Sequence, residues 1–222
     1  MEHELKSEGK CLYCKQVVPQ AQITKHLATH LAKMEKEDAA KSPETYCHIV
    51  VDDGGVMFLQ LLVKGKATMK KIDTFLKNIW LDCCEHMSGF GHKDFKVSTT
   101  HLVMDVFETK VKIYHDYDYG STTRVFLKGI KNYKLKPKDD VVLLSRNEPL
   151  KLICAKCEKH PAANICTVCD WDFYCENCSD AHEKECGDFE DYAKMPVVNS
   201  PRMGVCGYTG GHIDKERDGV HQ

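Results

Sequence analysis

The chain has 222 residues and a mass of 25.3 kDa, room for one or two ordinary domains or for one domain with small modules. Its 31 Lys and Arg nearly cancel 33 Asp and Glu, which excludes a generally basic nucleic-acid-coating protein and argues against a polyanionic tail protein. A hydrophobic fraction of 42% with 29% charged residues is that of a folded chain, and the outliers are 13 Cys and 12 His, which point to metal.

The start, Met1-Glu2-His3-Glu4, is acidic and lacks the apolar core of a secretory signal. The most apolar stretch, Gly55 to Val63, falls well short of the ~20 residues of a membrane span. A cytoplasmic location without membrane contact is therefore expected. In a reducing compartment, close cysteine pairs read as metal ligands rather than disulfides.

Four parts are expected in chain order: a finger at 8–34, a central domain at 46–148, a Cys-rich module at 151–190 and a tail at 191–222. In the first, Cys11-x2-Cys14-x11-His26-x3-His30 has the spacing of a tetrahedral two-Cys/two-His zinc site. His26 and His30 fall on one face of a helix, and Val18, Ile23 and Leu27 supply a minimal core. The segment resembles the two-Cys/two-His zinc-finger family over roughly twenty residues, with one residue fewer before the first His. At the helix positions that would meet bases stand Pro19, Ala21, Gln22 and Lys25, and only the last two suit such a contact. With Glu35, Glu37 and Asp38 following, a structural or protein-binding finger is favoured over a DNA reader. The polar stretch Glu35 to Thr45, broken by Pro43, reads as a linker.

The central domain reads as α+β, with a mixed or antiparallel sheet and one main helix. Tyr46–Val51 and Val56–Val63 are apolar strands around the turn Asp52-Asp53-Gly54-Gly55. Ile72, Phe75, Leu76, Ile79 and Trp80 form the stripe of an amphipathic helix that starts near Thr68. Val111 to Tyr119 alternates with strand period, Thr123–Ile130 follows as its partner, and Val141–Leu144 closes the sheet. Asp116 and Asp118 share a strand face in this reading, and with His115 or His86 they could serve an enzyme. Exposed pairing with Lys112 or Arg124 is the preferred reading, since no third ligand or nucleophile accompanies them. Cys83, Cys84 and His86 read as core thiols and a satisfied His at a helix end, with a further metal site as the lesser alternative. Cys47 and Cys206 have no partner spacing and receive no role.

The densest signal is Cys154-x2-Cys157-x8-Cys166-x2-Cys169-x5-Cys175-x2-Cys178-x3-His182-x3-Cys186. Eight ligands make two closed tetrahedra, the hallmark of structural rather than catalytic zinc. The spacing resembles the HIT-type, MYND-type and B-box modules, which interleave ligands in a cross-brace. That resemblance implies one zinc on Cys154, Cys157, Cys175 and Cys178, another on Cys166, Cys169, His182 and Cys186, and a protein as partner. A register using His160 with Cys157, nearer a B-box, remains open. About three zinc ions per chain are expected in all.

Two central stretches, Ile79-Trp80-Leu81-Asp82-Cys83-Cys84-Glu85-His86-Met87-Ser88-Gly89-Phe90 and Tyr114-His115-Asp116-Tyr117-Asp118-Tyr119-Gly120-Ser121, resemble the plasmid-Ri open-reading-frame family of insertion-sequence passenger-like proteins. The segment Met195 to Tyr208 resembles the tail of its Cys-rich members. The family implies an α+β domain and no established activity. Taken together, the sequence predicts a zinc-binding, non-enzymatic adaptor with a protein partner. A nucleic-acid-binding accessory factor and an enzyme at Asp116/Asp118 are the alternatives. The charge is +3 over residues 1–150 and −5 over the remainder, so nucleic-acid binding should be weak.

Overall fold

The computed structural model describes residues 5–39, 42–108, 111–136 and 138–213. It is α+β, and its contacts divide the described residues into two compact units. One contains the residues up to Leu76 together with Met87–Glu148; the other contains Lys77–His86 and the residues from Pro149 onward. By contacts, the residues expected as a finger group with the sheet, and Lys77–His86 group with the C-terminal residues.

In the first unit, β1 (Glu8–Lys10) and β2 (Val17–Pro19) form a hairpin that leads into α1 (Gln20–Asp38). β3 (Glu44–Asp52) and β4 (Phe58–Lys64) form a second hairpin, followed by α2 (Met69–Leu76). After the excursion into the other unit come β5 (Ser88–Gly91), β6 (Lys96–Val97), the short α3 (Val103–Val106), β7 (Lys112–Tyr117), β8 (Thr123–Leu135) and β9 (Val141–Arg146). Seven strands pair in the order β6-β5-β7-β8-β3-β4-β9, and every pairing is antiparallel.

Local chemistry accounts for the turns. Between β3 and β4, the carboxylates of Asp52 and Asp53 accept the N–H groups of Gly54 and Gly55 at 3.0 and 2.7 Å. Gly54 sits at φ +83°, a conformation that favours glycine. β4 is buried at nearly every position, so it reads as a continuous apolar run rather than an alternating one.

The finger is docked, not free. Ile23, Leu27 and Leu31 of α1 share one core with Tyr46, Phe58, Leu62, Tyr133, Leu135 and Leu144 of the sheet. A buried polar relay crosses this core: His48 Nε2 meets Gln60 Oε1 at 2.7 Å, and Gln60 Nε2 donates to Thr24 Oγ1 at 2.9 Å. β1 approaches β9 so closely that a Cβ on Gly9 would lie 2.6 Å from the Phe58 ring and 2.8 Å from the Arg146 carbonyl. The expected linker begins as the last turn of α1. There Glu35 and Asp38 accept the backbone N–H groups of Lys134 and Lys136 at 2.6 and 2.9 Å, while residues 40 and 41 lie outside the described residues.

The second unit opens with a π-helical turn, Lys77–Leu81, whose wide ring is closed by Asp82 N–H donating to the Lys77 carbonyl at 2.9 Å. The predicted helix stripe is thus divided: Ile72 and Leu76 are buried in α2, and Ile79, Trp80 and Leu81 are buried in the π turn. Further on, β10 (Asn164–Cys166) lies between β11 (Phe173–Tyr174) and β12 (Lys194–Pro196). Helix α4 (Glu176–Glu183) and a second π-helical turn (Phe189–Ala193) complete the elements. The expected tail is built into this unit through Val197, Val198, Asn199, Ser200, Arg202 and Tyr208, all buried; its residues 214–222 lie outside the described residues. Among the described residues, no helix is long and apolar enough to cross a membrane.

Leu27→Ala tests the docking of α1. Truncating a fully buried leucine in a shared core costs about 2–5 kcal/mol, so chemical denaturation followed by far-UV circular dichroism should show the sheet signal weakened by that amount. Lys25→Ala, on the exposed face of the same helix, should leave the transition unchanged.

Candidate metal centres

Four groups of Cys and His side chains could hold metal ions. Within each, the donor atoms all lie within 4.8 Å of one another. Three groups contain the residues singled out from spacing: Cys11, Cys14, His26 and His30; Cys154, Cys157, Cys175 and Cys178; and Cys166, Cys169, His182 and Cys186. The fourth joins Cys83, Cys84, His86 and Cys206.

The first group is made where the β1–β2 hairpin meets α1. Cys11 N–H donates to the Gln16 carbonyl at 2.8 Å, and Lys15 N–H donates to the Cys11 carbonyl at 2.8 Å, which curls the two thiols together. Cys14 Sγ and His30 Nε2 each lie 3.2 Å from His26 Nε2. Burial, then the charges of His26 and Lys33, hold His30 below the usual histidine range. Burial also raises the Cys11 thiol.

The two C-terminal groups interleave along the chain. Cys154 and Cys157 pair across the sequence with Cys175 and Cys178 at the start of α4, and Cys157 Sγ is 3.9 Å from Cys175 Sγ. Cys166 and Cys169 pair with His182 and Cys186, and Cys169 Sγ is 3.7 Å from Cys186 Sγ. The His160 side chain is exposed and outside both groups; its carbonyl accepts the Cys154 N–H at 2.9 Å. His182 is stacked on Tyr174 with ring centroids 4.1 Å apart, and Phe189 closes edge-on. His182 Nε2 is buried without a hydrogen-bond partner among the described residues, a cost that coordination would remove.

These distances suit one small cation per group. Tetrahedral ligands at about 2.3 Å for sulfur and about 2.0 Å for nitrogen lie roughly 3.3–3.8 Å from each other. None of the thirteen cysteines is joined in a disulfide. Their packing makes ionisation uneven. Burial of Cys154 opposes its ionisation, but the N–H groups of Cys175, Cys157 and Lys156 outweigh it and bring the thiol down to about 6. Cys169 is pushed up to about 12, first by Cys166 and then by Cys186. Cys178 is pushed up to about 12, first by Cys175 and then by burial. Sulfurs this close cannot all become thiolates on their own, and a cation among them lifts the penalty.

Cys83, Cys84 and His86 differ from the core reading taken from sequence. The chain emerges from the π turn at Leu81, Asp82 accepts the Glu85 N–H at 2.9 Å, and Glu85 takes φ +60°. That turn leaves Cys84 exposed and Cys83 and His86 half-buried, and it brings them to Cys206, which had been given no role. No sequence spacing joins residues 120 positions apart, so only the fold could supply this ligand. Cys47 is a core thiol in β3, raised to about 11 by burial.

The acidic pair in the sheet unit is arranged differently from expectation. Asp116 lies in β7, while Asp118 has left the strand at φ +64°, so they do not share a strand face. Both are buried rather than exposed. Arg124 grips Asp116 with two bonds, Nε to Oδ1 at 2.7 Å and Nη2 to Oδ2 at 2.8 Å. Asp118 Oδ1 accepts the Gly120 N–H at 3.0 Å and so shapes the turn into β8. His115 is fully buried, with Nε2 2.7 Å from Asp73 Oδ1, and Ser88 Oγ donates to the same oxygen at 2.6 Å.

No family model and no curated protein matches the chain. Among solved structures, a protein of unknown function from Methanosarcina mazei Go1 is similar at 15% identity, over 46% of this chain and 67% of that one, with a TM-score of 0.37. A likeness at that level carries no functional argument.

Asp116→Asn should leave the fold intact. Arg124 is about half exposed, with a side-chain accessibility of 48%, so the pair is screened by solvent. Its loss should cost at most about 1 kcal/mol in chemical denaturation, and Arg124→Gln, which leaves a carboxylate only 13% exposed without its cation, should cost more.

Proposed function

We propose that the protein is a non-enzymatic zinc-binding adaptor whose C-terminal unit recognises another protein. The observation that carries this reading is closure: each C-terminal group supplies four protein donors, which fills a tetrahedron and leaves no position for substrate or water. Sulfur-rich tetrahedral sets suit zinc among common cations, and oxygen-seeking ions such as magnesium or calcium are excluded by the donors. Among the described residues, one cluster at these groups joins Cys166, Tyr174, Phe189 and Ala193 with the partly buried Cys169, Cys178 and Cys186, so its interior is built largely from the ligands themselves.

A protein ligand is supported by the surface next to the module. A groove of about 690 Å³ is lined largely by apolar residues, among them Leu150, Leu152, Ile153, Pro161, Ala162 and Val197. Ile153 and Trp171 are conspicuously exposed for their size. The sheet unit is read as a plasmid-Ri open-reading-frame-like domain on the strength of its motif. Tyr117-Asp118-Tyr119-Gly120-Ser121 carries the chain from the end of β7 toward β8, and there Asp118, at positive φ, accepts the Gly120 N–H and shapes the turn.

Elemental analysis of carefully reduced, purified protein should find at least three zinc ions per chain, enough for the finger group and both C-terminal groups. Each structural ion contributes about 10–16 kcal/mol of apparent binding energy, so strong chelation should unfold residues 154–186 while much of the sheet persists. Cys175→Ser breaks one closed tetrahedron and should abolish that module and, with it, capture of the partner on co-purification from the source cell. A protein that carries one zinc or fewer would sink the reading. Oligonucleotide binding measured by anisotropy should be weak and salt-sensitive, and sub-micromolar binding at physiological salt would replace the protein partner with nucleic acid.

A further inference from the structure

We propose that Cys83, Cys84, His86 and Cys206 bind one additional zinc ion, and that this ion clasps the C-terminal segment 195–213 to the turn at 77–86. The proposal rests on the zinc reading above. It adds a site that is formed by chain folding rather than by a local motif.

The geometry is that of the other groups. Cys84 Sγ lies 3.5 Å from Cys83 Sγ, 3.7 Å from Cys206 Sγ and 3.0 Å from His86 Nε2. His86 Nε2 lies 3.4 Å from Cys206 Sγ. Four donors, three of them sulfur, thus stand at the separations of tetrahedral ligands. None of the sulfur distances is a disulfide, whose bond is about 2.05 Å.

The backbone gives an independent sign. In each Cys-x2-Cys pair that opens a group, the residue after the second cysteine has positive φ: Lys15 at 64°, Glu158 at 53° and Asp170 at 47°. A non-glycine residue adopts this conformation rarely. At these places it curls the chain back around the sulfur. Glu85, which directly follows Cys84, repeats the feature at 60°. Cys206 itself sits at φ 51° between Gly204 at 75° and Gly207 at 66°, a tight left-handed bend that presents its thiol. Such strain needs something to hold it.

The surroundings show what the ion would fasten. The π turn carries carbonyls that an α-helix would have used internally, and the C-terminal segment satisfies them. Ser200 Oγ donates to the Trp80 carbonyl at 2.6 Å. The N–H groups of His212 and Ile213 donate to the Asn78 carbonyl at 2.6 and 3.0 Å. Gly211 lies so close that a Cβ there would sit 2.3 Å from the Ile79 carbonyl oxygen. Cys206 lies between these contacts in sequence, so an ion on it would pin the segment midway.

The test uses the full chain, reduced, with zinc as the probe. Wild type should carry four zinc ions. Cys206→Ser and Cys84→Ser should each carry three, while Cys47→Ala, in the core of β3, should keep four. Amide hydrogen exchange separates a clasp from a passive site. In Cys206→Ser the His212 and Ile213 amides should lose protection while Cys166 and Thr167 keep theirs. Three ions in wild type, or an unchanged count in Cys206→Ser, would overturn the fourth site and leave the three-site reading standing. One ion or fewer in wild type would overturn both. A Cys84–Cys206 disulfide, seen as a mass lower by two hydrogens in protein purified without reductant, together with three ions would overturn the clasp in favour of a redox bridge. An unchanged exchange pattern in a three-ion Cys206→Ser would overturn the clasp.

Discussion

Packing thiols and imidazoles against one another without bonding them is the constraint on which the C-terminal unit depends. Every cysteine but Cys47 belongs to one of the four groups. Neighbouring thiols push Cys169 and Cys178 toward the neutral form, and the buried His182 Nε2 goes without a hydrogen-bond partner among the described residues. Such clusters are unfavourable as isolated polar groups and favourable as a ligand shell. The sheet unit stands under a different rule. β4 is a continuous buried run and β8 buries alternate positions, and the core draws on α1, β3, β4, β8 and β9 together. Burial of that extent supports a fold without metal. One chain therefore combines a unit that hydrophobic burial holds together with ligand groups whose immediate packing is made largely by the ligands themselves.

The finger shows how the two rules meet in one segment. Cys11 is at once a ligand candidate and a fully buried member of the sheet unit's core. Ile23, Leu27 and Leu31 would be a minimal interior for a free finger, yet they extend the core over the sheet. The relay His48–Gln60–Thr24 then fixes where α1 sits, because a misplaced helix would leave the buried Gln60 amide without its acceptor on Thr24. A finger held in this way is a structural cap on the sheet.

Local patterns in the sequence made most of this legible. Apolar runs bounded by Asp-Gly turns marked β3 and β4, alternation marked β7, and Cys-x2-Cys pairs marked the ligand groups. The short strands β5 and β6 were not legible, since Gly-rich and lysine-bearing pieces of two to four residues carry no period. The end of α2 was missed for a different reason. A π turn keeps apolar residues at nearly helical spacing, so Ile79 and Trp80 continue the stripe while the chain passes to another unit. Asp118 was misassigned because alternation cannot report a residue that turns to positive φ just past a strand's last position. Cys206 had no local partner, and its neighbours in space come from 120 residues away.

That last distance shapes what a fragment of this chain can be. The C-terminal residues from Pro149 onward look separable in sequence, with their own ligands and a polar entry. Yet the compact unit to which they belong also contains Lys77–His86. A fragment starting near residue 149 would lose Trp80, fully buried, and the carbonyls of Asn78 and Trp80 that the segment's donors use. It would keep Cys206 without Cys83, Cys84 and His86. Ser200, which is buried, would lose the acceptor of its hydroxyl, and a buried donor without an acceptor costs more than the hydrogen bond it replaces, so the loss falls on the C-terminal segment itself. The division that matters physically follows contacts, with an insertion leaving one unit after Leu76 and returning at Met87.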